Sequence, residues 1–346
     1  MLPRLAAALV ALAAGAAPAT AAAPDPDTYG ARLGAHSMIY LDTPPALQRA
    51  MFRAAADAGV RAVRMDFAIG QVFPRGGSDF AALERVDALA AEYGVDVLGV
   101  ITTTPWYMGA CAGGRDQNAE RCPPAARYER RWRRMVARVV RRANHVCCWE
   151  LGNEPDGFGF FGGPHEYARW ADLAAQGIRA ARPAATIALG GLAHLDEAFV
   201  AAALHDPSHP LAGVVDVANV HIRGRLDSLG PSVAAAQAMF LRQGLDAPLW
   251  VSETGYPSSA DHQFDPGFTS GPRAQAAWLV RGLRTLVDAG AERTFVTFRD
   301  TREFGRDSPF ASEGIVLWPR LNRRGRARPK PAFRAVRRLA ARACSC

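Results

Sequence analysis

A chain of 346 residues, 49% of them hydrophobic and 21% charged, carries enough apolar side chain for one large core, which excludes a disordered or collagen-like polymer. Its formal net charge of +8 comes from 41 basic against 33 acidic residues, and Lys330 is the only lysine. No zinc-ligand spacing, phosphate-binding glycine loop or aromatic RNA-binding motif accompanies that charge, so nucleic acid is not an expected partner.

In chain order, residues 1–23 read as a secretory signal: Arg4 gives the positive start, Leu5 to Ala17 the apolar stretch, and Ala19-Thr20-Ala21 a small-residue cleavage site. That stretch is short for a membrane anchor and no later one is long enough to span, so a secreted, extracellular protein is expected, with residues 24–346 as a single domain. β-rich runs follow at Arg32 to Ile39, Ala62 to Ile69, Val95 to Thr102, Val146 to Leu151, Thr186 to Gly190, Val214 to His221, Leu249 to Glu253 and Thr294 to Phe298. Between and after them, helical periodicity runs over Pro45 to Ala58, Asp79 to Tyr93, Ala125 to Arg142, His165 to Ala181, Asp196 to His205, Pro231 to Gln243, Pro272 to Ala289 and Pro331 to Ala343. Gly59, Gly94 and Gly290 each close a helical run just before a strand, where a left-handed residue is wanted. Eight alternating strand and helix units predict an α/β fold, a (β/α)8 TIM barrel; an open dinucleotide-binding sheet would need a Gly-x-Gly-x-x-Gly after the first strand, and none is there.

Two of these strands end on chemistry. Cys148-Trp149-Glu150-Leu151-Gly152-Asn153-Glu154-Pro155 leaves the sheet at a Pro, which cannot donate to a ladder, so Glu154 falls at the carboxyl end of the fourth strand. Leu249-Trp250-Val251-Ser252-Glu253-Thr254-Gly255 ends the seventh strand in the same way at Glu253. The carboxyl ends of barrel strands are where active sites are built, and two carboxylates suffice to break a glycosidic bond. With Asn153-Glu154-Pro155 on one strand and Glu253 on the other, the sequence over roughly residues 30 to 340 resembles the retaining glycoside hydrolases of clan A, which include families 5 and 39.

The resemblance implies Glu154 as acid/base and Glu253 as nucleophile, with β-glycosidic bonds of a polysaccharide or oligosaccharide as substrate and neither cofactor nor metal. It further implies that Arg64 on the second strand keeps the nucleophile ionised, that His221 closing the sixth strand orients the site, and that Asn153 meets the sugar 2-hydroxyl. Trp106 resembles the aromatic that follows the third strand. Two departures stand out: Arg223 lies two residues after the sixth-strand His where many members have Tyr, and the eighth strand lacks the Trp that usually floors the first sugar subsite. Tyr256 and Trp318 are the candidate replacements. Glu150, on the face of Glu154 by the period of two, reads as a buried structural acid in need of a partner.

Loops leaving the same end of the strands carry Trp106, Tyr107, Phe158, Phe160, Phe161, Tyr256, His262 and Phe264, rings on which sugar faces stack. The six cysteines of an exported chain read as disulfides: Cys111 with Cys122, and the tail residues Cys344 and Cys346 bonded to Cys147 or Cys148. The arginines of Arg127 to Arg142 read as a solvated helix face, because Trp132, Val136, Val139 and Val140 take the helical spacing; Arg320 to Arg342 contains no acid at all. A monomer is expected. A sugar-binding barrel without turnover and a surface protein that binds anionic polymers are the competing functions.

Overall fold

In a computed structural model of the chain, residues 25–110, 121–157, 159–160, 162–259, 261, 265–268, 271–301, 305 and 308–344 are described. The signal-like residues 1–23, Cys111, Cys346, Phe158, Phe161, His262 and Phe264 lie outside them.

The eight predicted strands are all present: β1 (Leu33–His36), β2 (Ala62–Ala68), β3 (Asp96–Thr102), β4 (Val146–Asn153), β5 (Thr186–Gly191), β6 (Ala218–His221), β7 (Leu249–Thr254) and β8 (Ala291–Thr297). They pair in parallel in the order β5-β4-β3-β2-β1-β8-β7-β6. Parallel bridges from Ala188 to Val217 and from Leu192 to Val220 join β5 to β6, so the sheet curls into a barrel with the intervening helices outside it. Gly59 and Gly94 take left-handed backbone, φ 72° and 62°, at the ends of helices Pro45–Ala58 and Ala81–Tyr93, as their position after a helical run requires.

Because side chains alternate along a strand, the barrel has two apolar regions. Residues such as Val63, Trp149, Leu151, Leu249 and Val251 face the helices in the main core. Ala62, Leu98, Cys148, Ala188, Val217, Trp250 and Phe295 form a separate cluster that fills the lumen near the strand beginnings. One period further along, the lumen turns polar with Arg64, Glu150, Asn219, Ser252 and Thr297, all buried. The functional end of the barrel therefore rests on an apolar plug.

Three expectations are corrected. Helix Leu226–Arg242 starts one turn before Pro231 and carries the proline inside it. Between Phe298 and Pro331, where no strand or helix is expected from the sequence, the chain forms an antiparallel hairpin of β9 (Val316–Leu321) and β10 (Ala327–Pro329). Cys147 and Cys148 are bonded to each other, so neither is left for the tail. Cys122 and Cys344 are also disulfide-bonded, and the proposed Cys111 and Cys346 lie outside the described residues.

Alkylation of the unfolded, unreduced protein is expected to label none of Cys122, Cys147, Cys148 and Cys344 in a peptide map. Label on Cys147 or Cys148 under those conditions would remove the vicinal pair.

Candidate active site

Arg64 stands at the centre of the polar layer, 1% exposed and pointing into the lumen from β2. Its Nε and Nη2 donate to the two oxygens of Glu150 at 2.7 Å each, its Nη2 to Asn153 Oδ1 at 2.7 Å, and its Nη1 to Glu253 Oε1 at 2.8 Å. Burial disfavours the guanidinium cation, but the charges of Glu150 and Glu253 outweigh that and raise its pKa. Glu150 thus has the partner its buried position demands.

Glu253 reaches the lumen only because β7 is irregular. Leu249 and Val251 face the helices and Trp250 the lumen, so strict alternation would turn Glu253 outward. Between Val251 and Thr254, β7 carries one residue more than either neighbouring strand, pairing His221 with Glu253 on one side and Thr254 with Val296 on the other. Such a bulge re-aims the side chain. Ser252 and Glu253 then both point inward, Ser252 Oγ lying 3.2 Å from His221 Nε2.

Glu154 is held by another departure from regular backbone. Gly152 has φ 88° and Glu154 itself φ 47°, left-handed values that end β4, and the Glu154 amide donates to the Gly191 carbonyl at 2.9 Å. Its carboxylate Oε1 stands 3.0 Å from His221 Nδ1. A Cβ at Gly191 would lie 2.3 Å from His221 Nε2 and 2.6 Å from Ser252 Oγ, so the bare backbone there makes room for the histidine. One oxygen of Glu154, one of Glu253 and a ring nitrogen of His221 lie within 4.8 Å of one another.

The two carboxylates differ in environment. Burial would push the Glu253 carboxyl up, but His221, His36, Arg64 and Arg223 overcome it and hold the group well below the usual carboxylate range. Burial in turn keeps His36 well below the usual histidine range, so at neutral pH the permanent charges on Glu253 are the two guanidiniums. The neutral His36 ring accepts from Arg64 Nη1 at Nδ1, 3.0 Å away, which leaves its Nε2–H directed at Glu253 Oε1, 3.4 Å away. The Glu154 side chain is 28% exposed against 9% for Glu253. Asp66, partly open to the cleft, is pushed up to about 6 by burial, with Glu150 and Glu253 adding to the rise against the pull of Arg64.

A cleft of about 440 Å³ opens over these groups, lined also by Met38, Ile39, Tyr40, Met65, Arg223, Ser308, Phe310 and Glu313. A smaller recess of about 200 Å³ adjoins it, shares Asp66 and Asn153, and is lined by Phe160, Tyr167 and Trp170. Of the residues expected here, Asn153, Glu154, Glu253 and Arg64 line the cleft, and His221 joins the two glutamates beneath it. Tyr256 does not: it is fully buried, stacked on Trp278 at 4.9 Å. Trp106 sits in a short turn after β3, edge-on to Tyr107 with Arg75 over its ring, and lines neither cavity. Trp318 likewise packs against the core, under Arg299. The aromatic walls are Tyr40 and Phe310 instead. His36, Asp66, Arg223 and Glu313 were not foreseen as site residues, although Asp66 follows Arg64 by one strand period.

Glu154, His221 and Glu253 are also spaced closely enough to hold a metal ion. Two guanidiniums already sit on Glu253, placing positive charge where a cation would bind, so the donor set suits carboxylate chemistry better.

The profile of the cellulase family, glycosyl hydrolase family 5, matches residues 27–266. No curated protein matches the chain. Among solved structures, it is similar to a family 39 glycoside hydrolase from Bacteroides cellulosilyticus WH2, with TM-score 0.66 and 16% identity over 90% of this chain and 63% of that one. A glucosidase from Croceicoccus marinus gives TM-score 0.66 and 16% identity over 93% and 69% of the two chains. A family 5 variant from Streptomyces cattleya, in complex with Manβ1-4GlcNAc, gives 0.60 and 17% over 90% and 80%. At these identities the likeness is one of fold, and the chain spans less than two thirds of the length of the family 39 protein.

Removing one partner of a buried ion pair costs about 3–5 kcal/mol. Because Arg64 would keep Glu253 and Asn153, Glu150→Ala is expected at the lower end, about 3 kcal/mol, read as a lower urea midpoint with an unchanged slope. A midpoint equal to the parent's would show that the pair contributes nothing to stability.

Proposed function

The chain belongs to the cellulase family, glycosyl hydrolase family 5, and from that premise we propose that it is a retaining glycosidase that cleaves β-glycosidic bonds in an oligosaccharide or polysaccharide. The observation that carries this reading is that one carboxylate oxygen of Glu154 lies within 4.8 Å of one of Glu253. Retaining enzymes hold their carboxyl groups about 5–5.5 Å apart, whereas inverting ones need about 6.5–9.5 Å to admit a water.

The environments divide the roles. Glu253, buried and held ionised, attacks the anomeric carbon while the bond from that carbon to the aglycone oxygen breaks. Glu154, nearer to solvent and, among the described residues, within ion-pair distance of His221 and of no guanidinium, gives its proton to the departing oxygen. Water then adds to the same carbon, its proton passes to Glu154, and the bond to Glu253 breaks. With Asn153 Oδ1 engaged by Arg64, its amide N–H groups are left to donate to a sugar hydroxyl.

A cleft of about 440 Å³ with apolar and aromatic walls is the size of an ordinary small-ligand site. Action on short oligosaccharides or on chain ends fits it better than action along a polymer. Export completes the reading, supported by the signal-like residues 1–23 and the disulfide-bonded cysteines.

A panel of aryl glycosides and oligosaccharides tests the proposal. Glu253→Ala should lose turnover and regain part of it with azide, which fits the vacated space. Glu154→Ala should slow natural substrates by about 10²- to 10⁴-fold while sparing activated aryl leaving groups. In proton NMR, the first-formed sugar should keep the anomeric configuration of the bond broken; an inverted product excludes the double displacement.

A further inference from the structure

Arg64 is only half of what holds Glu253. Its Nη1 takes Oε1 at 2.8 Å, and from the opposite side Arg223 Nη2 takes Oε2 at 3.1 Å. Each guanidinium has its own buried acid. Glu150, 0% exposed, closes on Arg64, and Glu313, 1% exposed, accepts from Arg223 Nε at 2.9 Å and Nη2 at 3.2 Å. Glu313 arrives from the loop between β8 and β9, yet it is fixed as firmly as Glu150. The Thr297 hydroxyl donates to its Oε2 at 2.8 Å, and its carboxyl carbon stands 2.3 Å from where a Cβ at Gly255 would be. Phe310 supports the Arg223 guanidinium at 4.9 Å. An unbroken sequence of acid, guanidinium, Glu253, guanidinium and acid therefore crosses the barrel mouth.

We propose that Arg223 and Glu313 are a positioning pair for Glu253, with Arg223 securing its second oxygen in the ionised form and Glu313 limiting the positive charge that the carboxylate feels. This rests on the reading of Glu253 as nucleophile. One opposite charge nearby favours the carboxylate; two uncompensated ones would bind the lone pairs that must attack carbon. Partial neutralisation by Glu150 and Glu313 leaves Glu253 ionised without making it inert. Arg223 is suited to this because its planar fork meets Glu313 with two parallel donors while one of them also reaches Glu253.

Among the described residues, the charged and titratable groups around Glu253 are His36 from β1, Arg64 and Asp66 from β2, Glu150 from β4 and Glu154 just past its end, His221 from β6 and Arg223 just past its end, and Glu313. Removing Arg223 withdraws one of the two permanent positive charges, so the pKa of Glu253 rises. Since attack needs the ionised form, the acid limb of kcat/KM must move to higher pH.

The test is the pH dependence of kcat/KM for the parent, Arg223→Met, Arg223→Lys and Glu313→Gln on an aryl glycoside that the parent hydrolyses, each variant checked for folding by circular dichroism. Arg223→Met should shift the acid limb up by about 1–3 pH units and lower kcat at least about tenfold with little change in KM, the pattern of an interaction made in the transition state. Arg223→Lys should hold the limb near the parent's. Glu313→Gln should lower kcat without raising the limb, because it unbalances the positive charge instead of removing it. If Arg223→Met fails to fold, a limb that rises in Glu313→Gln or in Arg223→Lys overturns the pair. A limb in folded Arg223→Met that stays at the parent's also overturns it and, because the parent hydrolyses its substrate, leaves the glycosidase reading intact. A parent that hydrolyses nothing overturns both.

Discussion

A guanidinium buried in the lumen of a barrel is the constraint on which this site depends. Arg64 is 1% exposed, and a cation in such a place is tolerable only if carboxylates and acceptors take all of its donors. Glu150, Asn153, Glu253 and His36 do so, drawn from β4, β7 and β1. That one requirement fixes how three strands must stand relative to β2. It also fixes the charge state of Glu253, whose ionised form is what keeps the buried cation satisfied.

Around this centre the backbone leaves ordinary geometry where the strands end. Met38, Thr103 and Glu154 are the described non-glycine residues with left-handed φ, and each lies just past the end of β1, β3 or β4 at the mouth. Conformations of this kind cost about 1–3 kcal/mol each and persist where the surroundings over-determine them. The bulge in β7 belongs to the same set of departures. Regular strands build the barrel, and irregular ends aim its functional side chains. The apolar plug below and the packed helices outside supply the stability that these departures draw on.

The cleft also shows how charge is distributed in a basic protein. Arginines are spread over the helices and the tail, while the mouth gathers Asp66, Glu150, Glu154, Glu253 and Glu313 against Arg64 and Arg223. The net charge of the chain therefore says little about the charge of its cleft.

The sequence alone determined the barrel, because each strand and helix announces itself locally through period, glycine ends and apolar runs, and eight alternating units have few ways to close. Glu154 and Glu253 were legible as candidates because each closes a strand at a turn, and Arg64 and His221 through the resemblance to clan A. Tertiary structure alone decided which of the flanking residues reach the cleft. Tyr256 and Trp106 have the right chemistry and the right loops, but burial against Trp278 and packing beside Tyr107 turn them away. Glu313 has no local signal, since the chain travels from β8 through an irregular loop before presenting it to Arg223. Even Glu253 points inward through a register shift that alternation would not foretell, because a bulge is settled by pairing with strands distant in sequence and not by the residues within it.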